Sequence, residues 1–298
     1  MIKVAMIGLD TSHSIAFPKC MQAPDCPESE KVPGLRVITC LRFLTPFTNA
    51  ETLDKRQQQL EAWGIKVTTR LDEALEGCDA ILLEINDGSL HREYFEKVAA
   101  LGKPVFIDKP LATTLEDGRA IIALMHKHKT RVWSGSSLPF CPEVGEVAVR
   151  VPQVRYGHVF GVLSKAPSGD ALIWYGVHVF EIIQRIMGSG AQAVRATENA
   201  NGIVTVIDYG NGRQGLIETL NNCKQYGGYG GRAQSDTVTL PFVVKDASNK
   251  SLIVNEIRKY FEGGPAPVDM ATTFEGLAMM VAARQSITTG QAVTVATR

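Results

Sequence analysis

An acid and a lysine stand side by side in the middle of the chain, in Gly-Lys-Pro-Val-Phe-Ile-Asp-Lys-Pro-Leu-Ala, residues 102–112. Val105-Phe106-Ile107 is a short continuous apolar run, the pattern of a strand buried on both faces. Charge then arrives abruptly as Asp108-Lys109, and Thr113-Thr114-Leu115-Glu116-Asp117 reads as a hydroxyl-then-acid helix start. The carboxyl end of a buried strand, just before a helix, is where open α/β sheets bind ligands. Pro110 fixes its own φ and restricts Lys109 to extended backbone, which sets the lysine's direction. Further acids and histidines fall at the same predicted edge: Asp10, His13, Glu84, Asp87 and His91. Asp and His are metal ligands, and Asp10-x-x-His13 could put both on one side of a turn. The simpler reading is that these acids cap helices or hydrogen-bond ligand hydroxyls, so no metal is assigned.

The elements that must position these residues alternate. Strands are expected at 4–7, 35–40, 66–68, 80–83, 105–107 and 131–133. Between them fall helices at 14–21, 51–63, 71–75, 91–101 and 115–129. Leu53, Leu60 and Trp63 share one helix face; Tyr94, Phe95, Val98 and Leu101 share another. This alternation specifies a doubly wound parallel sheet, an α/β Rossmann-like domain over 1–138. Residues 139–298 have a different texture. Strand-like runs at 154–163, 193–198, 203–208, 215–220 and 236–244 are joined by Gly- and Asn-containing turns, with a hairpin signature at Tyr209-Gly210-Asn211-Gly212. Helical stretches at 177–187 and 273–288 interrupt them. This half reads as an α+β domain with a mostly antiparallel open sheet. Its uncovered face would pair copies of the chain as a homodimer or homotetramer. The hinge is expected near 134–142.

Composition narrows the function classes. The chain has 298 residues, 45% of them apolar and 21% charged, with 31 basic and 31 acidic side chains. Zero formal charge gives no electrostatic reason to expect nucleic acid or an anionic membrane as partner. No apolar run approaches the ~18 residues of a membrane span. Met1-Ile2-Lys3-Val4 enters a strand at once, leaving no room for a leader. The six cysteines (20, 26, 40, 78, 141, 223) form no CxxC pair and no Cys/His ligand spacing. They read as reduced packing thiols of a cytoplasmic protein.

Three stretches together resemble the Gfo/Idh/MocA oxidoreductases, the group of glucose–fructose oxidoreductase and the inositol dehydrogenases. "HREYFEKVAALGKPVFIDKPLA", 91–112, is similar to the family's histidine, helix, Gly-Lys, strand and Glu-Lys-Pro, with Asp108 for the usual Glu. Gly176-Val177-His178 before an apolar helix is similar to the end of the Asp-x-Gly-x-His motif. "EGLAMMVAARQSITTGQAVTV" looks like the closing helix and strand. The resemblance implies NAD or NADP on the first domain, with a small polyol, sugar or sugar acid held between it and the second sheet. It implies Lys109 on the reacting oxygen, His178 as general acid/base, and Asp108 on the nicotinamide ribose or orienting Lys109. Gly8, Leu9, Asp10, Thr11, Ser12 and His13 would form the phosphate loop. Asn86 and His91 would also meet the cofactor, and Trp174 and Tyr175 the substrate.

The departures from the family are specific. Of its G-x-G-x-x-G turn only Gly8 survives; Asp10 and His13 occupy the later glycine positions. Asp10 could cap the following helix through the amides of Ser12 or His13, weaken cofactor binding, or mark a changed ligand. Arg42 follows the second strand where a ribose-binding acid is usual, which favours NADP. Trp174 stands four residues before His178 where the family has Asp, and Pro139 where it often has arginine. Two rival readings therefore stay open. One is a ligand-binding or regulatory protein that has lost dinucleotide affinity. The other is a non-redox, metal-assisted enzyme using the same cleft.

Overall fold

The computed structural model describes residues 1–221 and 228–297. Cys223 lies outside the described residues; Cys20, Cys26, Cys40, Cys78 and Cys141 are buried free thiols. The chain divides into two compact units.

The first unit comprises residues 1–112, 116–135 and 249–270. Its strands are β1 (Ile2–Ile7), β2 (Leu35–Leu41), β3 (Lys66–Thr68), β4 (Ala80–Leu83), β5 (Val105–Asp108) and β6 (Val132–Gly135). They form one parallel sheet in the order β3-β2-β1-β4-β5-β6. This is the Rossmann order expected from the alternation. The helices between them are α1 (His13–Gln22), α2 (Ala50–Ala62), α3 (Leu71–Leu75), α4 (His91–Val98) and α5 (Leu115–His128). Val4 to Ile7, Ala80 to Leu83 and Val105 to Ile107 are wholly buried, which is why these runs carry no polar alternation. The helix expected over 91–101 ends as a 3-10 turn, Ala99–Leu101, stopped by Gly102 in the left-handed region at φ 67°. Strand order reverses between β1 and β4, so the crevice beyond their carboxyl ends is the binding edge of this sheet.

A single division at 138/139 is not how the chain packs. Residues 249–270 return to the first unit, where the helix Ser251–Phe261 lies beside α1. Ile253, Ile257 and Phe261 repeat every four residues and are buried there. Arg131 donates to the carbonyls of Tyr260 (2.7 Å) and Gly264 (2.5 Å) and lies over the Tyr260 ring. No helix was expected here.

The second unit comprises 113–115, 136–248 and 271–298. Its described strands are β7 (Tyr156–Val162), β8 (Ala193–Asn199), β9 (Gly202–Asp208), β10 (Gln214–Leu220), β11 (Gly230–Gln234), β12 (Thr239–Val243) and β13 (Val293–Thr294). They lie in the order β12-β11-β7-β10-β9-β8-β13, antiparallel except for β7 with β10. The 209–212 turn joins β9 to β10, with Gly210, Asn211 and Gly212 at positive φ. The expected strand at 236–244 is β12, and β11 beside it was not expected, because Gly230-Gly231 reads as a turn. A Cβ on Gly231 would lie 1.9 Å from the His158 carbonyl oxygen, so close strand approach requires glycine there. The helix Val177–Met187 packs on β7 so closely that a Cβ on Gly157 would meet Met187 and Ile183 side chains. A helix, Pro142–Arg150, begins where the hinge was expected to end; proline at a first helical turn is compatible with it. Among the described residues, no helix is long and apolar enough to cross a membrane.

Candidate active site

The carboxyl edge of the first sheet is built by three chain segments that end close together. Gly8 follows β1 at φ 108°, and a Cβ there would stand 2.2 Å from the Glu84 carbonyl oxygen. Glycine at this position is thus required by the packing of strand end against strand end. Leu9, Asp10, Thr11 and His13 are buried, while Ser12 is exposed at the start of α1.

Asp10 is not a helix cap. Its Oδ2 accepts from the Thr45 hydroxyl at 2.7 Å and its Oδ1 from the Asn86 backbone N–H at 2.9 Å. It ties the β1–α1 loop to the segments after β2 and β4. Burial pushes its carboxyl pKa up, against the lowering effect of those two hydrogen bonds. Arg56 donates to the Leu9 carbonyl at 2.8 Å and supplies a positive charge near Asp10.

His13 occupies the third glycine position and reaches under the loop. Its Nδ1 lies 2.9 Å from Asp108 Oδ2, and its ring stacks on Phe17 at 4.9 Å. Asp108 also accepts from the Lys109 backbone N–H at 2.8 Å. Burial alone would raise the Asp108 pKa; the adjoining His13, its hydrogen bond and the Lys109 charge outweigh burial and hold it below the usual value. Glu84, one residue past β4, is fully buried, and its pKa is pushed well up by burial and then by the Asp108 charge. Lys109 is itself buried, and the Lys109–Pro110 peptide is cis.

Two expected cofactor residues are engaged otherwise. The His91 ring bridges backbone carbonyls, with Nδ1 2.8 Å from Pro110 O and Nε2 2.8 Å from Ile85 O, so both nitrogens are occupied. Arg42 is held by Asp54 and Gln57 on α2, each at 2.5 Å. Asn86 contributes its backbone amide to Asp10.

Ser12 provides no side-chain cap to the ten-residue α1; the Thr11 hydroxyl accepts from the His13 amide at 3.2 Å. Asp10 carries its charge inward rather than toward that helix end.

In the second unit, His178 opens the helix Val177–Met187. Its Nδ1 lies 3.0 Å from Ser136 Oγ, which in turn donates to Glu181 Oε2. Tyr175 and Tyr229 meet the His178 ring edge-on at 5.2 and 6.0 Å. Trp174 is half-buried against Tyr175. Asp170 caps the short helix Ala171–Trp174 and pairs with Arg284 at 2.6 Å, so it takes no part in orienting His178. Glu181, one turn after His178, and Ser136 form a hydrogen-bonded chain on the His178 ring. The i, i+3 spacing was the available sign of Glu181.

Residues 48–136 match the model of the Gfo/Idh/MocA oxidoreductase family, NAD-binding Rossmann fold. The protein YceM of Salmonella typhimurium, described as an oxidoreductase, is 29% identical over 98 residues. That match spans 33% of this chain and 32% of YceM. Among solved structures, scyllo-inositol dehydrogenase from Lactobacillus casei, with NAD(H) and scyllo-inositol bound, has a TM-score of 0.81 at 12% identity and 99% coverage of both chains. A myo-inositol dehydrogenase from Corynebacterium glutamicum gives 0.79 at 16% identity, again over 99% of both. At these identities the likeness is one of fold. The resemblance read from the sequence is borne out by the family model over 48–136 and by the fold over nearly the whole chain.

Proposed function

We propose that this protein is an NAD-dependent oxidoreductase acting on a small polyol, sugar or sugar acid. The observation that carries the reading is the buried Asp108-Lys109 pair at the carboxyl end of β5, beside the reversal of strand order. The nicotinamide, when bound, gives or takes the hydride. Lys109 hydrogen-bonds the oxygen of the reacting carbon and stabilises negative charge as it develops there. Asp108, kept ionised, holds the Lys109 backbone in place. His178 moves the hydroxyl proton. Glu181 accepts from the Ser136 hydroxyl and Ser136 accepts from His178 Nδ1–H, which puts the ring proton on Nδ1 and makes Nε2 the basic nitrogen. Trp174 and Tyr175 offer rings on which a sugar face can stack.

Asp54 supports NAD over NADP. It occupies the Arg42 guanidinium and would repel a 2′-phosphate. Support for a polyol comes from the inositol dehydrogenases that share the fold. The reduced buried thiols suit a cytoplasmic protein.

The test is NAD-linked turnover on a panel of inositols, alditols and aldonic acids. Lys109→Ala should lose at least about a hundredfold in kcat/KM while still binding dinucleotide. An unimpaired Lys109→Ala would sink the assignment. His178→Ala should lose about 10²–10⁴-fold, and the double variant little more than the worse single, as for groups serving one reaction.

A further inference from the structure

We infer that the carboxyl edge of the first unit's sheet is a binding site for a divalent transition-metal ion, held by His13, Glu84 and Asp108. These residues come from the start of α1, the residue after β4 and the last residue of β5. One donor atom from each lies within 4.8 Å of the other two. Donors on one tetrahedral metal at 2.0–2.2 Å stand about 3.4 Å apart, so the set needs only a short contraction. His13 Nδ1 and Asp108 Oδ2 are already 2.9 Å apart.

Glu84 is the independent observation. It is 0% exposed, and neither carboxylate oxygen has a hydrogen-bond partner. The charged groups that act on it are Asp108, Lys109 and Asp10, and none of them donates a hydrogen bond to it. Asp10 accepts from Thr45 and Asn86, and Asp108 takes His13 and the Lys109 amide. An ionised Glu84 lacks a donor, and a protonated one lacks an acceptor. Buried polar groups are hydrogen-bonded or ligate metals, and neither protonation state alone satisfies this one. A cation between Glu84, Asp108 and the His13 nitrogen satisfies all three.

The donor set selects the ion. One imidazole nitrogen and two carboxylates suit Zn²⁺, Co²⁺ or Mn²⁺, whereas Mg²⁺ and Ca²⁺ favour oxygen alone. Binding would displace the proton between His13 and Asp108 and any proton on Glu84. The ion would tie the β1–α1 loop to the ends of β4 and β5, at the place where a third glycine would otherwise allow close packing. The site stands whether or not a dinucleotide binds.

The test uses tag-free protein stripped with a chelator and titrated with Co²⁺, then Zn²⁺, followed by visible absorption and thermal melting. The stripped wild type should take up one Co²⁺ per chain with the intense d–d band of a low-coordinate site. Zn²⁺ should displace it, both ions should raise Tm, and Mg²⁺ should not. Glu84→Gln should melt at or above the stripped wild type, because a neutral amide does not have to take up a proton on folding, yet lose at least tenfold in Co²⁺ affinity along with the Tm response. His13→Asn is the second variant, with the same expected loss. No band and no metal-dependent Tm shift in the stripped wild type would overturn the inference. So would Co²⁺ binding undiminished in both variants.

Discussion

Asp10 stands where a glycine would let a pyrophosphate approach, and its carboxylate turns inward to Thr45 and Asn86 instead. Burial raises its pKa, so the folded chain holds that proton more tightly than the unfolded chain does. Its contribution to stability is therefore full below the unfolded value and is lost as pH rises through the raised folded value. Asp10→Asn keeps an acceptor for the Asn86 amide, offers a donor to the Thr45 oxygen and removes the charge. As pH rises above the ordinary carboxylate range the variant's Tm should gain on the wild type's; parallel Tm profiles would contradict this placement. The His178 relay gives a second prediction. Ser136→Ala and Glu181→Ala should each lower kcat about tenfold or more and shift the acidic limb of the pH profile for polyol oxidation, and their combination should be far from additive. The placement of Asp108 and Lys109 at a strand end and of His178 at a helix start was legible because each follows a local pattern. Ser136 was not, because 45 residues separate it from Glu181 and only the folded second unit brings them together. The inward turn of Asp10 was hidden for the same reason, since its partners are 35 and 76 residues away.

Elements of the first sheet were read nearly residue for residue, because strands buried on both faces and amphipathic helices alternate with strong periodicity. β11 and the helix Ser251–Phe261 were missed for opposite reasons. Glycines that permit close strand approach hid the strand, and a short apolar repeat within a polar stretch hid the helix. The helix returns to the first unit partly through Arg131, which bonds two carbonyls in 249–270. Arg131→Ala should cost about 1–2 kcal/mol in denaturant unfolding, from two charged hydrogen bonds at a partly exposed site. Gly8→Ala should cost more, about 2–4 kcal/mol, since a Cβ must displace the Glu84 backbone from a position where φ is already left-handed.

At the scale of the whole molecule, the second sheet has a face that its own helices leave open. Val204, Val206, Leu216, Phe160 and Tyr156 lie on it by strand register, together with the polar His158, Glu218 and Arg232, and Val204, Val206 and Tyr156 are 38%, 40% and 50% exposed. A homodimer or homotetramer through this face is our reading of that apolar stripe. Val206→Lys should reduce the mass seen by light scattering to that of a smaller species; an unchanged mass would place the interface elsewhere. The functional account rests on something more basic, the capacity of the remodelled Gly8–His13 loop to hold a dinucleotide. Isothermal titration of the purified protein with NAD⁺ and NADH, and with NADP⁺ and NADPH for comparison, tests that capacity directly. The account predicts micromolar binding of the NAD pair and at least tenfold weaker binding of the NADP pair. Absence of binding by all four, from protein that melts cooperatively, would contradict it and turn the search to other ligands of the same strand edge.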